Sequence, residues 1–137
     1  MAYEKALPQP TPETQEFWDG LKRHELRVQQ CQDCQRHYLY PRPFCPNCWS
    51  RNVEWTTVSG AGKLETYVIN HRPARGFQDE APYVIAVVTL DEGPRLMTNL
   101  VNVKAEPDQL PADMPVEIVY DDVTDEITLP KFQPVAG

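Results

Sequence analysis

Four cysteines hold the most concentrated chemistry of this sequence: Cys31-Gln32-Asp33-Cys34, ten intervening residues, then Cys45-Pro46-Asn47-Cys48. A Cys-x-x-Cys turn can bend two thiolates toward one point. Two such turns facing each other build a tetrahedral four-sulfur site, the donor set that zinc takes in closed structural positions. The ten-residue gap is shorter than usual for two-pair zinc sites, yet it still closes a compact ribbon. Four thiolates leave no coordination position for water or substrate, so the metal expected here is structural.

Other fates for these cysteines are less consistent with the rest of the chain. The sequence begins MAYEKALPQPTPETQ, with no apolar signal-peptide core, so a reducing, cytoplasmic setting is expected and disulfides are disfavoured. A redox Cys-x-x-Cys normally stands alone, whereas here there are two pairs with prolines beside one of them. Iron in a rubredoxin-like site remains the alternative metal, since four thiolates suit it as well.

The remaining residues offer little for catalysis. With all four cysteines on a metal, no thiol is left as a nucleophile. The two serines, Ser50 and Ser59, lie outside any Gly-x-Ser-x-Gly elbow, and His24, His37 and His71 fall in separate segments. Gly60-Ala61-Gly62-Lys63 lacks the spacer and the Ser/Thr of a phosphate loop and reads as a hinge. Asp121-Asp122 and Asp125-Glu126 lack calcium-loop spacing and read as a solvated turn. The best small-ligand candidate is His71–Phe77, where Arg72 and Arg75 could pair with CoA phosphates and Phe77 could stack on adenine. Lys63 is nearby in sequence.

Charge narrows the partners. The net charge is −7, and all of the excess lies in residues 61–137, with six Lys/Arg against thirteen Asp/Glu. A polyanion would be repelled by that half, so no nucleic-acid partner is expected. No apolar run approaches the roughly 20 residues needed to span a bilayer, so no membrane partner is expected either.

The elements that must position these residues are short. Residues 1–10 read as a flexible or draped arm. Thr11-Pro12-Glu13 reads as a helix start, with Thr11 as N-cap, and the helix runs to about Arg23 or His24. Phe17, Trp18 and Leu21 share one face of it, and either pack on the chain's own body or dock on a partner. Leu26, Val28 and Gln30 alternate with Glu25, Arg27 and Gln29 as a half-buried strand. With His37–Tyr40 and Val53–Val58 this makes a three-stranded ribbon over residues 25–58, with too little apolar surface to fold without metal. After Ser59-Gly60-Ala61-Gly62 come five strand-like segments: Lys63–Asn70, Tyr83–Leu90, Arg95–Leu100, Val116–Asp121 and Ile127–Phe132. They predict a mostly β chain divided as residues 1–24, 25–58 and 59–137. The last part is expected to be a five-stranded OB-fold barrel, with an SH3-like barrel as runner-up.

Taken in order, these features resemble one family. Phe17-Trp18, the two cysteine pairs, the run Pro41-Arg42-Pro43-Phe44-Cys45-Pro46-Asn47-Cys48, Ser59-Gly60-Ala61-Gly62 and Leu90-Asp91-Glu92-Gly93-Pro94-Arg95 are similar to the DUF35 family. These are acyl-CoA-associated OB-fold proteins with an N-terminal rubredoxin-like zinc ribbon, and the resemblance runs from about Thr11 to Phe132. One departure stands out. Zinc knuckles usually carry Gly after the second Cys of a pair, and here Gln35 and Trp49 stand there, so an altered knuckle is expected. The resemblance implies a zinc-binding accessory subunit in a hetero-oligomer with a thiolase-fold enzyme. The partner would supply the Cys/His chemistry, and this chain, not catalytic itself, would complete the assembly and contribute to the passage of CoA or acyl-CoA. Aromatic-acid or steroid side-chain degradation is one setting it implies. Two readings from other classes compete: a nucleic-acid-binding zinc-ribbon/OB protein, which the charge disfavours, and a rubredoxin-like electron carrier, which would need iron.

Overall fold

The computed structural model describes residues 5–135. Thr11 and Thr14 form a turn before the first helix, with the Thr14 N–H donating to the Thr11 carbonyl at 3.0 Å and the Thr11 N–H donating to Thr14 Oγ1 at 2.9 Å. The helix α1 therefore starts later than expected, at Gln15–Lys22, and Thr14 replaces Thr11 as its N-terminal boundary. Its end matches the expectation. His24 takes φ 60 and the Glu25 N–H donates to the Gly20 carbonyl at 2.9 Å, the long bond of a left-handed helix stop. Gly20 has a separate role: a Cβ there would lie 2.4 Å from Arg27 Cγ, so only glycine lets the next strand cross this closely.

Three antiparallel strands follow in the order β2-β1-β3: β1 Leu26–Cys31, β2 His37–Tyr38 and β3 Val53–Val58. Leu26 and Val28 are buried as the alternation implies. Beyond them the phase changes, because Gln29 and Cys31 are buried while Gln30 is half-buried. Gln29 turns in to accept the Arg42 N–H at 2.8 Å, tying β1 to the segment that leads into the second cysteine pair.

The second sheet closes on itself in the order β4-β5-β6-β8-β7, with β7 pairing back to β4: β4 Ala61–Asn70, β5 Tyr83–Leu90, β6 Arg95–Leu100, β7 Pro115–Asp122, β8 Thr128–Pro134. A closed five-stranded barrel whose one parallel contact joins the third and fifth strands is the OB-fold. The chain is thus mostly β, with one short helix, an N-terminal ribbon and a barrel. Asp91–Pro94 makes the expected hairpin, with Gly93 at φ 118 and its N–H on the Leu90 carbonyl. Asp121 and Asp122 belong to the end of β7 and not to a turn. Asp121 pairs with Lys131 at 2.6 Å across the ladder.

Gly60 is not a hinge. It takes φ 80, a Cβ on it would meet Ile118 Cγ2 at 2.4 Å, and its carbonyl accepts the Ile118 N–H at 2.9 Å. One continuous core runs through this joint: Phe17 and Leu21 of α1, Leu26, Val28 and Val58 of the ribbon, and Leu64, Val88 and Phe132 of the barrel. The helix and ribbon are therefore packed on the barrel and not tethered to it.

At the far side of α1, His24 stacks on Tyr120 with ring centroids 4.8 Å apart, and its Nε2 lies 3.0 Å from the Asp122 carboxylate. The Thr128 hydroxyl, then His24, hold the Asp122 carboxyl below its usual range. A depressed carboxyl stabilises the fold above its ordinary pKa, about 3.9, and that contribution is lost as pH falls through the folded value. Asp122→Asn is expected to lower the melting temperature at pH 7 and to reduce the further loss below about pH 4. Thermal melts of both proteins across that range provide the check, and identical pH profiles would contradict the assignment.

Candidate metal centre

The two cysteine turns are built alike. In the first, the Gln35 N–H donates to the Cys31 carbonyl at 2.9 Å and the Cys31 N–H to the Arg36 carbonyl at 2.9 Å. In the second, the Trp49 N–H donates to the Cys45 carbonyl at 2.9 Å and the Cys45 N–H to the Ser50 carbonyl at 2.8 Å. Each also points a backbone N–H at a sulfur: Cys34 N–H at Cys31 Sγ (3.4 Å) and Asn47 N–H at Cys45 Sγ (3.3 Å). The altered knuckle expected from the missing glycines does not appear. Gln35 and Trp49 adopt φ 67 and φ 66, so they take the left-handed backbone anyway, at a cost of about 1–2 kcal/mol each.

The four sulfurs converge within 4.8 Å of one another, and none is in a disulfide. Contacts between the two turns are Cys31 Sγ to Cys48 Sγ at 3.5 Å and Cys34 Sγ to Cys45 Sγ at 3.6 Å. A metal–sulfur bond of about 2.3 Å puts the corners of a tetrahedron about 3.8 Å apart, so the arrangement fits a four-thiolate metal site. Cys31 and Cys45 are buried, with Tyr38 beside them, in a small cluster separate from the main core. Burial pushes the Tyr38 phenol up to about 12, and it donates to the Arg42 carbonyl at 2.9 Å.

Protons are shared unevenly among the thiols. The Arg36 backbone N–H brings Cys34 down to about 6. The Ser50 backbone N–H lowers Cys48, but its hydrogen bond with Cys31 and its burial outweigh that and push it up to about 12. A cation entering the site must displace the protons that remain, so binding weakens in acid.

The other candidate residues fall in different places. Phe17 and Leu21 are buried in the main core, so the shared helix face is turned inward. Only Trp18 keeps accessible surface. It packs edge-on against Phe17 at 5.1 Å and lines a mainly apolar cleft of about 370 Å³ with Tyr40, Leu96, Met97 and Pro130. Arg72, Arg75 and Phe77 lie in the loop from β4 to β5. Lys63 is near the other end of β4, roughly 23 Å from Asn70 at about 3.3 Å per residue, so it does not join them. Arg75 and Phe77 line a second cavity of about 510 Å³, which shares Asn99 and Leu129 with the first.

Two contributors escaped the sequence reading. Lys5 of the arm pairs with Glu80 and sits 4.3 Å from the Phe77 ring centroid, while Tyr83 stacks on that ring at 4.6 Å. Tyr40 accepts the Met97 N–H at 3.0 Å and so ties the ribbon to β6. Neither contact has a local sequence signal.

Ribbon, helix and barrel together define a zinc-ribbon/OB-fold protein. Residues 18–54 match the family model described as ChsH2, rubredoxin-like zinc ribbon domain, and residues 55–121 match ChsH2, C-terminal OB-fold domain. The chain belongs to this ChsH2-type DUF35 family. It is 44% identical over 105 residues to a DUF35 domain-containing scaffold protein of Pyrococcus furiosus, covering 75% of this chain and 74% of that one. It is 39% identical over 121 residues to a probable enoyl-CoA hydratase alpha subunit of Thermomonospora curvata. That match covers 86% of this chain but 36% of the relative, so the chain spans about a third of that subunit's length. Among solved structures it is similar to a chain of the Ltp2-ChsH2(DUF35) aldolase, with TM-score 0.83 and 33% identity over 95% of this chain and 100% of that one. Among the described residues no helix is long and apolar enough to cross a membrane.

Elemental analysis is expected to find one metal ion per chain. Chelation at neutral pH should lower the melting temperature and erase ribbon signals before barrel signals in amide exchange. Acid should strip the ion as well, because the thiols recover their protons. A chain that keeps its melting temperature after complete chelation would contradict a structural metal.

Proposed function

We propose that this chain is a zinc-binding, non-catalytic accessory subunit of a thiolase-type acyl-CoA-processing complex. The observation that carries the reading is its similarity, over 95% of its length, to the DUF35 chain of an assembly described as an aldolase. Relatives described as hydratase alpha subunits and scaffold proteins support the same direction. So does the sequence, since the four cysteines are committed to one site and no serine or histidine constellation replaces them. In this proposal a thiolase-fold partner makes or breaks the C–C bond of a CoA thioester, in aromatic or steroid degradation. Zinc, with four thiolates and no open position, holds the ribbon and does no chemistry.

The two cavities, which share Asn99 and Leu129 in their linings, offer CoA a path past this chain. Arg75, beside Lys5, would meet a phosphate, and the Trp18 cleft would take an apolar portion. Tyr83 and Lys5 already engage the Phe77 ring, so stacking of adenine there would require Lys5 to move.

Gentle purification of the tagged chain from its native cells, followed by mass spectrometry, tests the proposal. A thiolase-fold enzyme in fixed ratio is expected. Cys31→Ser or Cys45→Ser should abolish that association together with metal content. Recovery of the chain without any such enzyme would contradict the reading. Arg75→Ala is expected to weaken acyl-CoA binding by the complex severalfold in calorimetry, and an unchanged affinity would remove this chain from the CoA path.

A further inference from the structure

The second cysteine turn ends in a side chain that the fold does not use. Trp49 follows Cys48, takes φ 66 and is 72% exposed. Its counterpart on the first turn, Gln35, has the same backbone, but its amide donates to the Gln32 carbonyl at 2.7 Å. The Trp49 indole N–H meets no acceptor among the described residues. Its one defined partner is Phe44, stacked at 5.1 Å with the planes 11° apart. A left-handed position favours glycine, and an exposed tryptophan there gains little burial in return.

The charges beside this pair are also unpaired. Arg42 precedes Phe44 by two residues and Arg51 follows Trp49 by two. Neither meets a carboxylate among the described residues, and Arg42 Nε reaches only the Tyr40 carbonyl, at 3.4 Å. Between Cys31 and Asn52 the single carboxylate is Asp33, which is engaged by Ser50 and Asn52. A divalent ion with four thiolates would carry a formal charge of −2, with Cys31 and Cys45 buried and Cys48 exposed, and backbone N–H donors on the sulfurs offset part of it. The guanidinium forks outside it can still take carboxylates from another molecule.

We propose that the Phe44–Trp49 stack, flanked by Arg42 and Arg51, is the anchor by which this chain docks on its partner subunit. The facing surface is an apolar slot rimmed by carboxylates, since tryptophan and arginine are the side chains that most often dominate interface energetics. The proposal rests on the accessory-subunit reading and adds the surface that performs it. The acidic barrel of a second copy would complement the same charges and could close a two-fold dimer. Similarity to a chain of the two-component Ltp2-ChsH2(DUF35) assembly favours a heterologous partner.

Trp49→Gly separates docking from folding, because it supplies the residue that this backbone favours. The test titrates the metal-loaded chain against the thiolase-fold subunit that purifies with it. Trp49→Gly is expected to keep its metal and melting temperature yet lose affinity at least tenfold. The double variant Arg42→Glu/Arg51→Glu should lose as much and flatten the salt dependence. If both variants bind like the wild type, the docking site is overturned while the accessory reading stands. If no thiolase-fold subunit accompanies the wild type, both fall. Loss of metal in Trp49→Gly would make Trp49 structural and also overturn the proposal. So would Trp49-dependent binding of a single-stranded oligonucleotide, or of a second copy in sedimentation, in place of that subunit.

Discussion

The convergence of four sulfurs is the constraint on which the amino-terminal third of the molecule depends. The ribbon has its own small cluster, Cys31, Cys45 and Tyr38, and little else to bury at that end. Without a cation, the two turns face each other through thiol–thiol hydrogen bonds that share protons, Cys31 with Cys48 and Cys34 with Cys45. A metal replaces those shared protons with bonds and supplies folding free energy directly. The left-handed residues Gln35 and Trp49 are a local expense of that geometry.

A metal held by these cysteines would act beyond the ribbon, because the core is continuous. β1 carries Cys31 at one end and Leu26 and Val28 at the other, and these last two pack in the same cluster as α1 and the barrel. Gln29 and Tyr40 add hydrogen bonds at the boundary, to the Arg42 backbone within the ribbon and to β6 of the barrel. Gly60 fixes the remaining covalent joint against Ile118. The cleft beside Trp18 is thus bounded by three elements whose relative placement follows from packing.

Much of this was legible in the sequence, for identifiable reasons. The cysteine spacing defines a donor set without tertiary information. β5 and β6 begin and end where expected, at Tyr83–Leu90 and Arg95–Leu100, because Pro82, Gly93 and Pro94 punctuate them. Errors arose where local preference met tertiary demand. Thr11 looked like a cap, yet it pairs with Thr14 in a preceding turn. Gln30 fitted the alternation of β1, but Gln29 turned inward because a buried amide was needed for Arg42. Lys63 was close to Arg72 in sequence and far from it along an extended strand. The missing glycines suggested a distorted knuckle, whereas the metal-site geometry imposed the glycine-like backbone on Gln35 and Trp49. Lys5 had no signal at all, since its partners Glu80 and Phe77 lie some seventy residues away.

The central claim is that this chain enables a partner's chemistry and performs none itself. The most direct measurement is turnover of an acyl-CoA thioester by the thiolase-fold subunit alone, by this chain alone, by the two together, and by the partner with metal-stripped chain. The account predicts activity only for the metal-loaded pair. Turnover by this chain alone, or full activity of the partner without it, would contradict it.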